Sequence, residues 1–100
     1  MSNEDALRRL AREAIGAARV PAGPPKGTWG GSGTGMACDV CGLPIPGHEI
    51  EFEVEFSQEE GRTHSYHLHG RCFAAWEFER HAFETDEYQG RLNGGRPAAT

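Results

Sequence analysis

Cys38-Asp39-Val40-Cys41-Gly42 and, much later, His69-Gly70-Arg71-Cys72 hold all three cysteines of the chain in the pattern C-x2-C-x27-H-x2-C. A zinc ion takes four donors at tetrahedral corners, and thiolate sulfur and imidazole nitrogen are its usual choices. The first two cysteines can reach one ion if the backbone between them makes a tight knuckle. Gly42 suits that knuckle, because glycine accepts positive φ and close backbone approach. In the first turn of a helix, residues three apart share a face, so His69 and Cys72 can reach the same ion. Either pair alone is a weak sign. Together they nominate Cys38, Cys41, His69 and Cys72 as metal ligands and Zn2+ as the cofactor.

Two other uses of the cysteines compete with this one. A dithiol redox pair wants its motif opening a helix, and Gly42, Pro44 and Pro46 forbid a helix there. A disulfide would leave one of the three cysteines over, and the first residues do not read as a secretory signal, so a cytoplasmic setting is expected.

Size and charge narrow the function. The chain has 100 residues, 37% of them hydrophobic, with 14 Gly and 6 Pro, so a large apolar core is not expected. Small domains of this kind often need a metal staple. No apolar run approaches the roughly 20 residues of a membrane span. The net charge of −5 is uneven: residues 1–35 carry five basic and three acidic groups, and residues 36–100 carry five basic and twelve acidic ones. An acidic metal domain argues against a finger that grips phosphates with its own surface.

Residues 1–20 read as a basic amphipathic helix. Leu7, Leu10, Ala11, Ala14, Ile15 and Ala18 recur at helical period, with Arg8, Arg9, Arg12 and Arg19 around them. That stripe is mostly alanine, so weak packing or partner docking is expected. Residues 21–35 read as a Pro/Gly linker holding Trp29, whose ring should tuck against the domain. Residues 36–84 form the zinc-binding domain. In it Ile50, Phe52, Val54 and Phe56 alternate with Glu49, Glu51, Glu53 and Glu55, a strand with one buried and one acidic face. The Glu row is expected to be solvated, or to blunt an exposed sheet edge. Residues 57–62 form a hairpin loop and residues 63–68 the return strand. His67 is the rival of His69 as fourth ligand, but it stands five residues from Cys72, which one helical turn does not bridge; it could instead hydrogen-bond near a thiolate. A helix from Gly70 to about Glu84 buries Cys72, Phe73, Trp76 and Phe83 on one face. Phe78 lies on another, which suggests a second cover. Residues 85–100 read as a disordered tail.

Knuckle, hairpin, then a helix whose first turn carries the last ligands: this order resembles a treble-clef zinc finger. Through Cys38, Cys41, Ile45, Gly47, Tyr66, His69, Cys72, Phe73 and Trp76 it is similar, more specifically, to the poly(ADP-ribose) polymerase-type finger. That resemblance implies the metal positions and recognition of DNA breaks by basic and apolar surface residues. Where such a finger wants Arg and Lys, however, this chain has His48, Glu49, Glu51 and Glu53. The whole chain also resembles small bacterial zinc-finger-like proteins with a basic helix, a Thr-Trp-Gly-Gly linker and a Cys-Phe-Ala-Ala-Trp-Glu-Phe helix.

The resulting expectation is a small α+β zinc-stabilised domain with an N-terminal helix on a flexible linker. It acts as a non-catalytic module for a protein partner. Nucleic-acid binding through residues 1–35 is the alternative, and an enzyme is not expected because a four-ligand zinc site is closed.

Overall fold

Alternation in one stretch and 3.6-residue periodicity in two others account for β2 and the two helices. The computed structural model describes residues 3–92, and side chains as far as residue 83. It contains helix α1 (Asn3–Gly16), strands β1 (Gly27–Ser32), β2 (Ile50–Ser57) and β3 (Thr63–His69), and helix α2 (Gly70–Leu92). The strands form one antiparallel sheet in the order β1-β2-β3. A short 3-10 turn, Glu59–Gly61, closes the β2–β3 hairpin where the polar loop was expected. The fold is the small α+β domain anticipated, with two helices, a three-stranded sheet and a candidate metal cluster.

Phe52, Val54 and Phe56 of β2 share a face with Tyr66 and Leu68 of β3, and α2 lies against that face. Phe73 stacks on Phe52 with ring centroids 4.3 Å apart, and Phe56 meets Trp76 edge-on at 6.1 Å. Both are favourable aromatic geometries. Trp76, Val54, Leu68, Ile45, Val40 and Val20 are all buried in this core. Ile50 remains 60% exposed at the rim of the row, and Phe83 of α2 is 45% exposed rather than buried.

The N-terminal third departs from expectation. Helix α1 stops at Gly16, short of Val20. Ala18 then takes a left-handed conformation at φ 61°, and the Arg19 amide donates to the Ala14 carbonyl at 2.8 Å. This wraps the helix end and carries Val20 into the core, where it is fully buried. The helix packs on α2 and is not peripheral: Ala11 and Ala14 are 0% exposed and Ile15 is 8%. Small side chains let the two helices approach closely. Arg12 pairs with buried Glu79 at 3.1 Å, and the Arg8 guanidinium lies 3.9 Å from the Phe78 ring centroid. The second cover suggested for Phe78 is thus partly α1, although Phe78 stays 53% exposed.

The segment expected as a flexible linker, residues 21–35, holds strand β1 and an anchor before it. The Trp76 indole N–H donates to the Pro21 carbonyl at 2.8 Å. Gly27–Ser32 pairs along β2, with Trp29 opposite Glu53. The free side of β2 supplies a hydrogen-bonding template that glycine-rich backbone can satisfy whatever its intrinsic preference. Trp29 does not tuck in; it is 55% exposed on the acidic face of the sheet. Strand β2 is consequently central, so its Glu row does not guard an edge. Of the tail expected at 85–100, residues 85–92 continue α2, and residues 93–100 lie outside the described residues.

Candidate metal centre

Each ligand candidate is placed by a local device. Gly42, at φ 82°, turns the chain after Cys41, and its amide donates to the Cys38 carbonyl at 2.8 Å. The Cys38 amide donates to the Leu43 carbonyl at 2.8 Å, and the Val40 amide approaches Cys38 Sγ at 3.4 Å. This is the tight knuckle that Cys-x-x-Cys requires, and an amide aimed at sulfur favours the thiolate. His69 ends β3, and Cys72 sits in the first turn of α2, which begins at Gly70.

The four donor atoms of Cys38, Cys41, His69 and Cys72 lie within 4.8 Å of one another. His69 Nδ1 faces the sulfurs, 3.4 Å from Cys41 Sγ and 3.9 Å from Cys72 Sγ. Donors around a tetrahedral ion with bonds of about 2.0–2.3 Å stand roughly 3.5 Å apart, so this separation suits a four-coordinate metal. The other ring nitrogen, Nε2, is 3.0 Å from the Pro44 carbonyl, with Glu49 Oε1 at 3.7 Å. A proton on Nε2 donated to that carbonyl leaves Nδ1 unprotonated and free to ligate, the usual way a ligand histidine is oriented.

Thiol acidity points the same way. A hydrogen bond from Cys72 lowers the Cys38 pKa to about 4; burial opposes this, and backbone hydrogen bonds reinforce it. Cys72 is pushed up by its bond to Cys38, by burial and by the charges on Cys38 and Cys41. Charge on one sulfur therefore opposes ionisation of its neighbour, and a bound cation would offset that opposition. Soft sulfur donors with one imidazole, close together and largely out of water, suit a thiophilic divalent metal.

His67 is not part of the cluster. Its Nδ1 is 2.5 Å from Glu51 Oε2, and its amide donates to Asp39 Oδ2 at 2.8 Å. In place of the expected hydrogen bond near a thiolate, His67 has a carboxylate partner. Glu51 was expected in a solvated row, yet it is 6% exposed. It also accepts from the Thr34 amide and hydroxyl, each at 2.8 Å. Burial pushes its carboxyl up, but the hydrogen bonds from His67 and Thr34 outweigh this and hold it below the usual carboxylate range. Asp39 ties the knuckle to β3, because its own amide also donates to the His67 carbonyl at 2.8 Å. Glu51, Thr34 and His67 therefore brace the sheet next to the metal ligands. Period-2 alternation could name the face of Glu51 but not the Thr34 segment that covers it.

Comparison with protein-family models, with curated proteins and with solved structures finds no match to this chain.

Proposed function

We propose that this chain is a zinc-stabilised module that works by binding a protein partner and carries out no reaction of its own. The observation that carries this reading is the cluster of three sulfurs and one imidazole, already gathered and mostly buried. Four protein donors complete a tetrahedral zinc shell and leave no open position for substrate, as in structural rather than catalytic sites. Zinc bound there ties the knuckle to the β3–α2 junction and so contributes directly to folding. The order of knuckle, hairpin and helix supports the treble-clef likeness. The polymerase-type likeness extends in our reading to the metal positions and not to DNA.

Charge supports a protein partner over nucleic acid. Between residues 36 and 84 only Arg62, Arg71 and Arg80 are basic. In the N-terminal arm, Arg12 is engaged with Glu79 and Arg8 with Phe78 and Glu4. Two of the arginines that a nucleic acid would need are thus occupied on the protein's own surface.

The test has two arms. Protein purified without chelator is expected to carry one equivalent of zinc, and zinc below half an equivalent would overturn the zinc reading. Immobilised full chain in lysate of its native host is expected to retain a partner protein that a Cys72→Ser chain does not. Equal retention by both chains, retention of nucleic acid alone, or no retention by either would overturn the interaction reading.

A further inference from the structure

Strand β1 is an edge of the sheet, and residues Thr28 to Ser32 are all exposed. In an antiparallel ladder, residues alternate between bonding the neighbour and facing away. The Gly33 amide donates to Glu49 across the β1–β2 register, so Gly31, Trp29 and Gly27 turn toward β2. The N–H and C=O groups of Thr28 and Gly30 then point away from the sheet, with no backbone partner among the described residues. The opposite edge is treated differently: at β3, Asp39 bonds both the N–H and the carbonyl of His67. Exposed edges are usually blunted by lysine, proline or an inward charge, and Gly27–Ser32 contains none of these.

The face beside this edge carries an exposed tryptophan and a row of carboxylates. The six-membered part of the Trp29 ring lies back over Gly27, where an added Cβ would stand 2.5 Å from Cη2. Glycine at 27 therefore lets the ring lie along the strand, and the side chain remains 55% exposed. Directly across is Glu53, followed by Glu55, and neither carboxylate has an ion pair or hydrogen bond among the described residues. Glu51 and Glu49, by contrast, are engaged by His67 and Arg71. A groove of about 160 Å³ runs along Trp29, Gly31, Thr34, Glu51 and Glu53. No atom lies within 4 Å of a Cβ at Gly31, so the groove has room there for an incoming side chain.

We propose that β1 is a docking edge for an extended, lysine- or arginine-bearing segment of a partner protein. The segment adds as a fourth strand and lays a cationic side chain over Trp29 beside Glu53. This rests on the interaction-module reading and supplies its partner chemistry. Strand addition draws affinity from main-chain hydrogen bonds and selectivity from alternate side chains. Every second residue of the added strand would project onto the Trp29 face. Cations are attracted to the face of tryptophan, and the unpaired carboxylates add long-range attraction. A second copy of this chain fits the same edge poorly, because it would bring another acidic sheet face alongside Glu53 and Glu55.

The experiment uses the zinc-loaded full chain and a fluorescein-labelled octapeptide alternating Lys with Val, with a Glu-Val octapeptide as control. Anisotropy at about 150 mM salt, where screening acts beyond roughly 8 Å, should show binding of the Lys peptide only. Amide exchange at Thr28 and Gly30 should slow in the complex. Thr28→Pro removes an outward N–H that the β1–β2 ladder does not use, a substitution tolerated on edge strands, and should weaken binding at least about tenfold. Trp29→Ala should weaken it about two- to fivefold, the contribution of an exposed cation–π contact. If Thr28→Pro unfolds, protection of the two amides in the unmutated chain decides. Equal binding of the Glu peptide, undiminished binding by folded Thr28→Pro, or unchanged amides overturns the docking edge. So does absence of Lys-peptide binding by folded, zinc-loaded protein, and the interaction-module reading then still stands or falls on its own lysate comparison.

Discussion

Helix α1 should be part of the stability of the metal domain, and Ile15→Ala measures how much. Ile15 is 8% exposed and belongs to the same buried cluster as Ala11 and Ala14, both at 0%, and Trp76 of α2. Cutting a buried isoleucine back to alanine removes its transfer free energy and leaves a cavity, about 2–4 kcal/mol at sites of this kind. A domain of this size has about 5–13 kcal/mol of stability in all. One kcal/mol shifts its melting temperature by about 4–8 °C, so a drop of roughly 8–32 °C is expected. The assay is thermal unfolding followed by circular dichroism, with zinc content measured on the same samples. Arg9→Ala, on the exposed side of α1, is the control and should move the melt by no more than the roughly 0.5 kcal/mol typical of surface changes. Deleting residues 1–33 should abolish cooperative melting, because Ala11, Ala14, Ile15, Val20, β1 and the Pro21 carbonyl go together. An Ile15→Ala melt within about 2 °C of the parent, with a full equivalent of zinc, would refute the packing of α1 on α2. A well-folded chain beginning at Thr34 would refute it too.

Chelation should unfold the chain, since structural zinc contributes about 10–16 kcal/mol, comparable with the whole stability of a small domain; an unchanged cooperative melt after metal removal is the contrary result. His69→Ala should lose zinc. His67→Ala should keep one equivalent and lose about 1–3 kcal/mol because Glu51 Oε2 loses its partner while Oε1 keeps Thr34, a split read by metal analysis beside denaturant titration. The Glu51 carboxyl is held below its ordinary value of 4.5, so its contribution is fully present above that pH and is lost as pH falls through the lowered folded value. Glu51→Gln should therefore flatten the acid side of the stability profile, and an identical acid limb in both proteins would show that the Thr34 and His67 bonds do not favour the charged form.

The metal candidates were legible because each pair is local. Cys38 and Cys41 need only a turn that Gly42 provides, and His69 and Cys72 need only a helix start. Helical spacing favours His69 over His67, and the structure places His69 in the donor cluster and pairs His67 with Glu51. Glu51 itself was misread as solvated. Alternation assigns a residue to a face, while its burial depends on Thr34, seventeen residues earlier in the chain, folding over that face.

By itself the sequence determined the elements whose cause lies within a few residues: the knuckle, the β2–β3 hairpin, the start of α2 and the cluster of donors they carry. Tertiary structure decided the N-terminal third. Gly27–Ser32 has the composition of a linker and becomes a strand because β2 leaves one side of its backbone open. An alanine stripe too thin to predict burial becomes core because α2 presents a surface that small side chains can approach closely. Both outcomes depend on complementarity between segments distant in the chain, and no local periodicity encodes the shape or the unpaired backbone of a partner elsewhere.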